Sequence, residues 1–144
     1  DATSSLLMNV LKYTPFLIKP NHHELGEIFG VTLKERHEVV PYAMKLRELG
    51  ARNVLVSMGG KGAVLISENG KVYEADAPQG VLKNSVGAGD SMVAGFLYGY
   101  LKFNDYEQAF RFGVGAGSAS AFSDYLAAKD EVYKVAENIV IKNI

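Results

Sequence analysis

Asn53-Val54-Leu55-Val56-Ser57-Met58-Gly59-Gly60-Lys61-Gly62-Ala63-Val64-Leu65-Ile66-Ser67 consists of two apolar, β-branched runs hinged on a glycine-rich turn. Runs this short, bounded by glycine, read as strands. A third, Lys71 to Ala75, follows across Glu68-Asn69-Gly70, and Asn-Gly between two such runs is a strong hairpin signal. Upstream, Gly50 marks the change from helical to strand period, ending a helix expected over Leu33 to Leu49. Pro41 inside that segment predicts either a kink or a start near Val40. Further out, Leu25, Ile28 and Phe29 give one face of a short helix stopped by Gly30. Phe16-Leu17-Ile18 reads as a short buried strand ended by Pro20-Asn21, and Leu6, Leu7, Val10 and Leu11 form a helical face closed by Pro15. Downstream of the strands, three amphipathic helices are expected over Ser91 to Phe103, Tyr106 to Phe122 and Asp130 to Ile141. The predicted fold class is α/β, with a small, partly parallel sheet covered by helices.

The chain has 144 residues, suiting one domain over 1–144 with a sizeable core. Fifteen Lys and Arg against sixteen Asp and Glu give a net charge of −1, which lacks the basic footprint of a nucleic-acid binder or a polybasic membrane protein. With no Cys there is no disulfide framework, thiolate nucleophile or Cys-ligated zinc, and a cytoplasmic location is expected. No apolar run approaches the roughly 18 residues of a membrane span. The opening Asp1-Ala2-Thr3-Ser4-Ser5 has neither an initiator Met nor the pattern of a signal peptide, so a processed or truncated piece is expected.

Three junctions carry residues suited to chemistry. Asn84-Ser85-Val86-Gly87-Ala88-Gly89-Asp90 runs directly into a helix, so glycines turn the backbone while the first helical amides are left to bind an anion. A carboxylate there repels phosphate. Asp90 therefore reads either as a general base beside a transferring phosphoryl group or as a first-turn helix stabiliser. In Lys19-Pro20-Asn21-His22-His23-Glu24, Asn21 and Glu24 have the spacing of a helix capping box. The functional alternative has Asn21 and Glu24 holding Mg²⁺ through waters, with Lys19 reaching a phosphate. Adjacent His22 and His23 point about 100° apart on a helix and are read, with His37, as surface or structural. The Ser57 to Gly62 turn is not a Walker A loop, but its glycines would let a nucleotide lie close to the backbone. Gly113, Gly115 and Gly117 follow a helical segment instead of a strand, which removes the dinucleotide fingerprint reading. Small residues there let a helix approach a neighbour or a flat base closely.

In order, Pro20-Asn21-x-x-Glu24, Ser57-x-Gly59-x-x-Gly62 and Val86-Gly87-Ala88-Gly89-Asp90-Ser91 resemble the C-terminal half of the ribokinase-like phosphofructokinase B family of sugar kinases, across nearly the whole chain. The resemblance is nearest to members acting on hexose phosphates, whose glycine loop often reads as Asn84 to Ser91 do. It implies ATP-dependent phosphorylation of a sugar phosphate, with Asp90 as catalytic base and the amides of Gly87, Ala88 and Gly89 as the anion hole. It further implies that Asn21 and Glu24 help place Mg²⁺. Lys19, Ser57, Gly59, Gly60 and Gly62 would then line the ATP site, and the helix carrying Ala116, Gly117 and Ser120 would wall the adenine. Many members have Asp where Asn84 stands, so no role of that carboxylate is carried over. The N-terminal half, which supplies much of the sugar pocket and a lid, is expected to be missing. Expected partners are ATP and a sugar phosphate, with self-association allowed and neither nucleic acid nor membrane foreseen. The rival class, a nucleotide-binding module without catalysis, would gain nothing from Asp90.

Overall fold

Val54, Leu55 and Val56 are wholly buried, as are Val64 and Leu65, so the two runs flanking the glycine turn are central strands covered on both faces. In the computed structural model, described here for residues 2–77, 88–122 and 129–144, they form β2 (Asn53–Ser57) and β3 (Ala63–Ile66). The two pair antiparallel, with Val54 opposite Ile66 and Ser57 opposite Ala63. The earlier run Leu17–Ile18 is β1, which pairs parallel to β2 with Leu17 opposite Asn53. Val72–Ala75 forms β4 and Ile141–Asn143 forms β5, giving a five-stranded sheet in the order β1-β2-β3-β4-β5. The Asn69-Gly70 turn joins β3 to β4 as its sequence predicts: Gly70 takes a φ of 85°, and the Ser67 amide donates to the Lys71 carbonyl.

The chain divides into two units, Asp1–Glu74 with Asn143–Ile144, and Ala75–Lys142. In the first, α1 (Ala2–Leu11), α2 (His22–Phe29) and α3 (Arg36–Glu48) contribute Leu11, Leu25, Val39, Ala43 and Leu46 to a core shared with Ile18, Val54, Val56, Val64 and Ile66. The helix α3 begins at Arg36, earlier than Val40, and runs through Pro41. Its start is fixed by the Glu38 carboxylate, whose Oε1 accepts from the Glu35 and Lys34 amides at 2.8 and 3.1 Å. Pro41 is tolerated because it sits on the exposed side, where water can take the carbonyl left unpaired, while Val39, Ala43 and Leu46 keep the buried stripe continuous.

The second unit is helical: α4 (Ala88–Phe103), α5 (Tyr106–Phe122) and α6 (Lys129–Glu137). The last helix stops four residues short of Ile141, the end expected for it. Asn138 turns the chain, its amide donating to the Val135 carbonyl and its side chain to the Lys134 carbonyl. Arg111 Nη1 also donates to the Ala136 and Ile139 carbonyls, satisfying acceptors at the helix end. The β-branched residues beyond then leave helical geometry, and Ile141 enters β5. Among the described residues no helix is long and apolar enough to cross a membrane.

Candidate functional site

Parallel pairing of β1 with β2 sets the carboxyl ends of both strands side by side, the place where α/β sheets present ligand-binding residues. The chain leaving β1 stays paired for one more step. The Ser57 amide donates to the Pro20 carbonyl at 3.2 Å, and an isolated parallel bridge joins Asn21 to Ser57. Lys19 Nζ lies 3.5 Å from Ser57 Oγ. Two motifs 38 residues apart in sequence thus meet at one edge of the sheet, with Lys19, Asn21, Glu24 and Ser57 all partly exposed.

Asn21 caps α2 with a complete capping box: Oδ1 accepts from the Glu24 amide, and the Asn21 amide donates to Glu24 Oε1, each at 2.8 Å. The capping reading of this pair is realised. It leaves Glu24 Oε2 without a protein partner among the described residues, able to accept from the water of a hydrated cation. No group of three His, Cys, Asp or Glu among the described residues is arranged to hold a metal directly. Mg²⁺ keeps several waters and usually takes one or two carboxylates together with substrate phosphates, so Asn21 and Glu24 fit it through water and not as a closed protein cage. His22 Nδ1 is buried with no hydrogen-bond partner. Burial holds the imidazole below its ordinary pKa, nearby His23 and Lys61 push the same way, and the Ser57 main chain opposes them.

Beyond Ser57 the glycine turn is a single turn of 3₁₀ helix, Gly59–Lys61. Gly59 at φ 57° and Gly62 at φ 90° occupy backbone conformations that side chains resist. Gly60 differs: its φ is ordinary, and a methyl group there would meet nothing within 4 Å. The fold does not require glycine at position 60.

In the second unit, Gly89 and Asp90 lie in the first turn of α4, with Asp90 exposed. Ala88 opens that helix, its side chain outside the described ones, and Gly87 with the rest of the loop from Asn84 lies outside the described residues. In α5, Ala116 and Gly117 are buried, and the side chain of Ser120 is outside those described. A methyl group added at Gly95 would come within 2.6 Å of Ala116 Cβ and 2.4 Å of the Phe112 carbonyl oxygen. One at Gly115 would meet Ala136 Cβ at 3.1 Å. The small residues of α5 therefore serve close helix packing, one of the two purposes their sequence suggests.

Sequence reasoning missed what holds the glycine turn. Glu35 and Arg36, at the start of α3, both reach Lys61: Glu35 Oε1 pairs with Lys61 Nζ at 2.6 Å, and Arg36 Nη1 donates to the Lys61 carbonyl at 3.2 Å. No local pattern announces partners 25 and 26 residues apart.

The pfkB family carbohydrate kinase model matches residues 1–131. The chain is 48% identical over its whole length to 1-phosphofructokinase of Bacillus subtilis, of which it covers 47%. It is 33% identical to D-tagatose-1-phosphate kinase of Bacillus licheniformis, over all of this chain and 47% of that protein. Among solved structures, phosphofructokinase-2 of Escherichia coli in complex with substrates and products superposes with a TM-score of 0.83 at 30% identity, covering 93% of this chain and 44% of that one. The chain thus spans about half the length of the relatives it matches.

Proposed function

The chain belongs to the pfkB family of carbohydrate kinases, and from this we propose that it is the nucleotide-binding half of an ATP-dependent kinase that converts fructose 1-phosphate to fructose 1,6-bisphosphate. The observation that carries the reading is the meeting of Lys19 and Asn21 with Ser57 at the carboxyl ends of parallel β1 and β2, followed by a glycine turn open to solvent. Lys19 has the reach and charge to take a nucleotide phosphate, and the exposed Gly59 and Gly60 leave the backbone bare for a flat ligand.

Asp90, exposed at the start of α4, is the base that takes the proton from the attacking sugar hydroxyl. The amides of Gly87, Ala88 and Gly89, aided by the helix dipole, stabilise negative charge growing on the transferring group. Asn21 and Glu24 would hold the hydration shell of Mg²⁺, which would supply charge neutralisation on the nucleotide phosphates. Ala116, Gly117 and Ser120 sit on the helix assigned to the adenine. The setting we infer is cytoplasmic, with the sugar pocket and lid supplied by the other half of the protein.

A second reading is favoured by the tagatose-1-phosphate kinase relative. Tagatose 1-phosphate and fructose 1-phosphate are ketohexose 1-phosphates that share an acceptor hydroxyl and differ in one stereocentre. A kinase acting on tagatose 6-phosphate would use a different hydroxyl. The test is coupled measurement of ADP release by the full-length protein on these three sugars. Turnover preferring fructose 1-phosphate is the expected result, and preference for either tagatose phosphate transfers the assignment. No sugar-dependent ADP release would overturn the kinase reading.

A further inference from the structure

The exposed turn Gly59–Lys61 needs something to hold it, because glycines spend more conformational entropy on folding than any other residue. Within the turn, the Lys61 amide donates to the Met58 carbonyl and the Gly62 amide to the Gly59 carbonyl, each at 3.1 Å. The peptide plane between Lys61 and Gly62 is therefore held through its N–H by the turn itself and through its carbonyl by Arg36 Nη1. That guanidinium is in turn fixed by Glu74 of β4, whose Oε2 lies 3.4 Å from Arg36 Nε. Both side chains of this pair are only 20% exposed, whereas the Lys61–Glu35 pair is 50% and 55% exposed and correspondingly screened. The brace behind Arg36 is thus better shielded than the Lys61–Glu35 pair, while the bond from Nη1 to the Lys61 carbonyl lies at the exposed surface of the turn. Its planar fork presents Nε to a carboxylate and Nη1 to a carbonyl at once, a geometry that a lysine ammonium does not reproduce.

We infer that Arg36, braced by Glu74, is a positioning residue for the Gly59–Gly62 turn and sets how tightly that turn grips the nucleotide. This rests on reading the turn as part of the ATP site. Arg36 touches no reacting atom in this scheme and acts only through the Lys61 carbonyl.

The test uses the full-length protein, ATP titration by calorimetry, and steady-state kinetics with fructose 1-phosphate. Arg36→Gln and Arg36→Lys are expected to raise both the Kd and the KM for ATP about 3- to 10-fold, the scale of one ordinary net hydrogen bond. The kcat and the sugar KM should stay within about twofold. The double exchange Arg36→Glu with Glu74→Arg re-forms an ion pair but leaves no donor at position 36 for the Lys61 carbonyl, so it should recover melting temperature without recovering ATP affinity. Recovery of ATP affinity by the double exchange, or equal losses in kcat, both KM values and melting temperature, would overturn the inference. Gly60→Ala separates it from the reading beneath it. If Gly60→Ala weakens ATP binding while Arg36→Gln does not, the positioning role alone fails. If neither substitution changes ATP affinity, the turn is not part of the ATP site and both fall.

Discussion

Asp90 and Glu24 each stand where a purely structural explanation is also available, and substitution at each separates the two. An exposed carboxylate in the first turn of α4 stabilises the helix through the dipole by about 0.3 to 1 kcal/mol, and its removal should cost no more than that if this were its whole purpose. A general base is worth more. Asp90→Asn in the full-length protein is expected to cut turnover by about 10² to 10⁴ while ATP affinity changes little. Steady-state rates within a few-fold of the parent would leave only the helix role. At Glu24 the capping box itself supplies the control, because a glutamine at this position can still accept from the Asn21 amide. Glu24→Gln should therefore keep its melting temperature yet need more Mg²⁺ for half-maximal activity. Asn21→Ala, which deletes the cap, should cost about 0.5 to 2 kcal/mol of stability. A magnesium titration of Glu24→Gln matching the parent's would assign the residue to capping alone. His22 adds a pH dependence. Burial lowers its pKa from 6.5, so the folded state holds the imidazole neutral more strongly than the unfolded chain does. The stability this contributes is present above pH 6.5 and is lost as pH falls through the lowered pKa. His22→Gln should flatten the decline in melting temperature below that pH, and an unchanged slope would exclude His22 as its source.

At the scale of elements, periodicity and glycine punctuation made β2, β3, β4 and the capped α2 legible, because each depends on residues close in sequence. The capping box illustrates the limit, since one four-residue pattern allowed two readings, of which the structure realises the local one. The contact between Lys19 and Ser57 depends on β1 pairing parallel to β2, which no stretch of sequence specifies by itself. The same holds for the tie from Arg36 to Lys61. Two boundaries were misjudged for related reasons. Pro41 weakens a helix locally, yet burial of Val39, Ala43 and Leu46 carries α3 through it. The apolar spacing up to Ile141 looks helical, yet Arg111 from another helix terminates α6 sooner. The glycines of α4 and α5 show tertiary demand most directly. A methyl group at Gly95 would press on the Phe112 carbonyl at 2.4 Å, and backbone yields less readily than a side chain. Gly95→Ala should cost about 1 to 3 kcal/mol by forcing α4 and α5 apart, whereas Gly60→Ala should leave the denaturation midpoint unchanged. Equal midpoints for the two variants in a urea titration would refute this account of the helix seam.

For the whole molecule, the decisive fact is that the chain covers 47% of its 1-phosphofructokinase relative while matching it from end to end of its own length. Phosphoryl transfer depends almost wholly on positioning and preorganised charge, so a nucleotide site without an aligned acceptor has little to accelerate. On the proposed reading, the 144-residue chain by itself should therefore show no appreciable sugar-phosphate kinase activity, and at most weak ATP binding through Lys19, Ser57 and the glycine turn. If Asp90 is the base proposed above, its exposure lets water take the place of the sugar hydroxyl as proton donor. Slow ATP hydrolysis independent of sugar is the expected residual activity. The sheet argues in the same direction. The two-residue strand β1 stands at the end of the order β1-β2-β3-β4-β5, and beside it a pocket of about 330 Å³ is lined by Leu6, Leu7, Val10, Ile18 and Ile28 together with Lys19 and Glu24. A strand that ends the sheet among the described residues, next to apolar surface, favours self-association. Sedimentation of the isolated chain should accordingly show concentration-dependent oligomers, and supplying the other half of the protein in trans should suppress them while restoring sugar-dependent ADP release. Robust kinase activity from a monomeric 144-residue chain would show that the acceptor pocket lies within these residues after all.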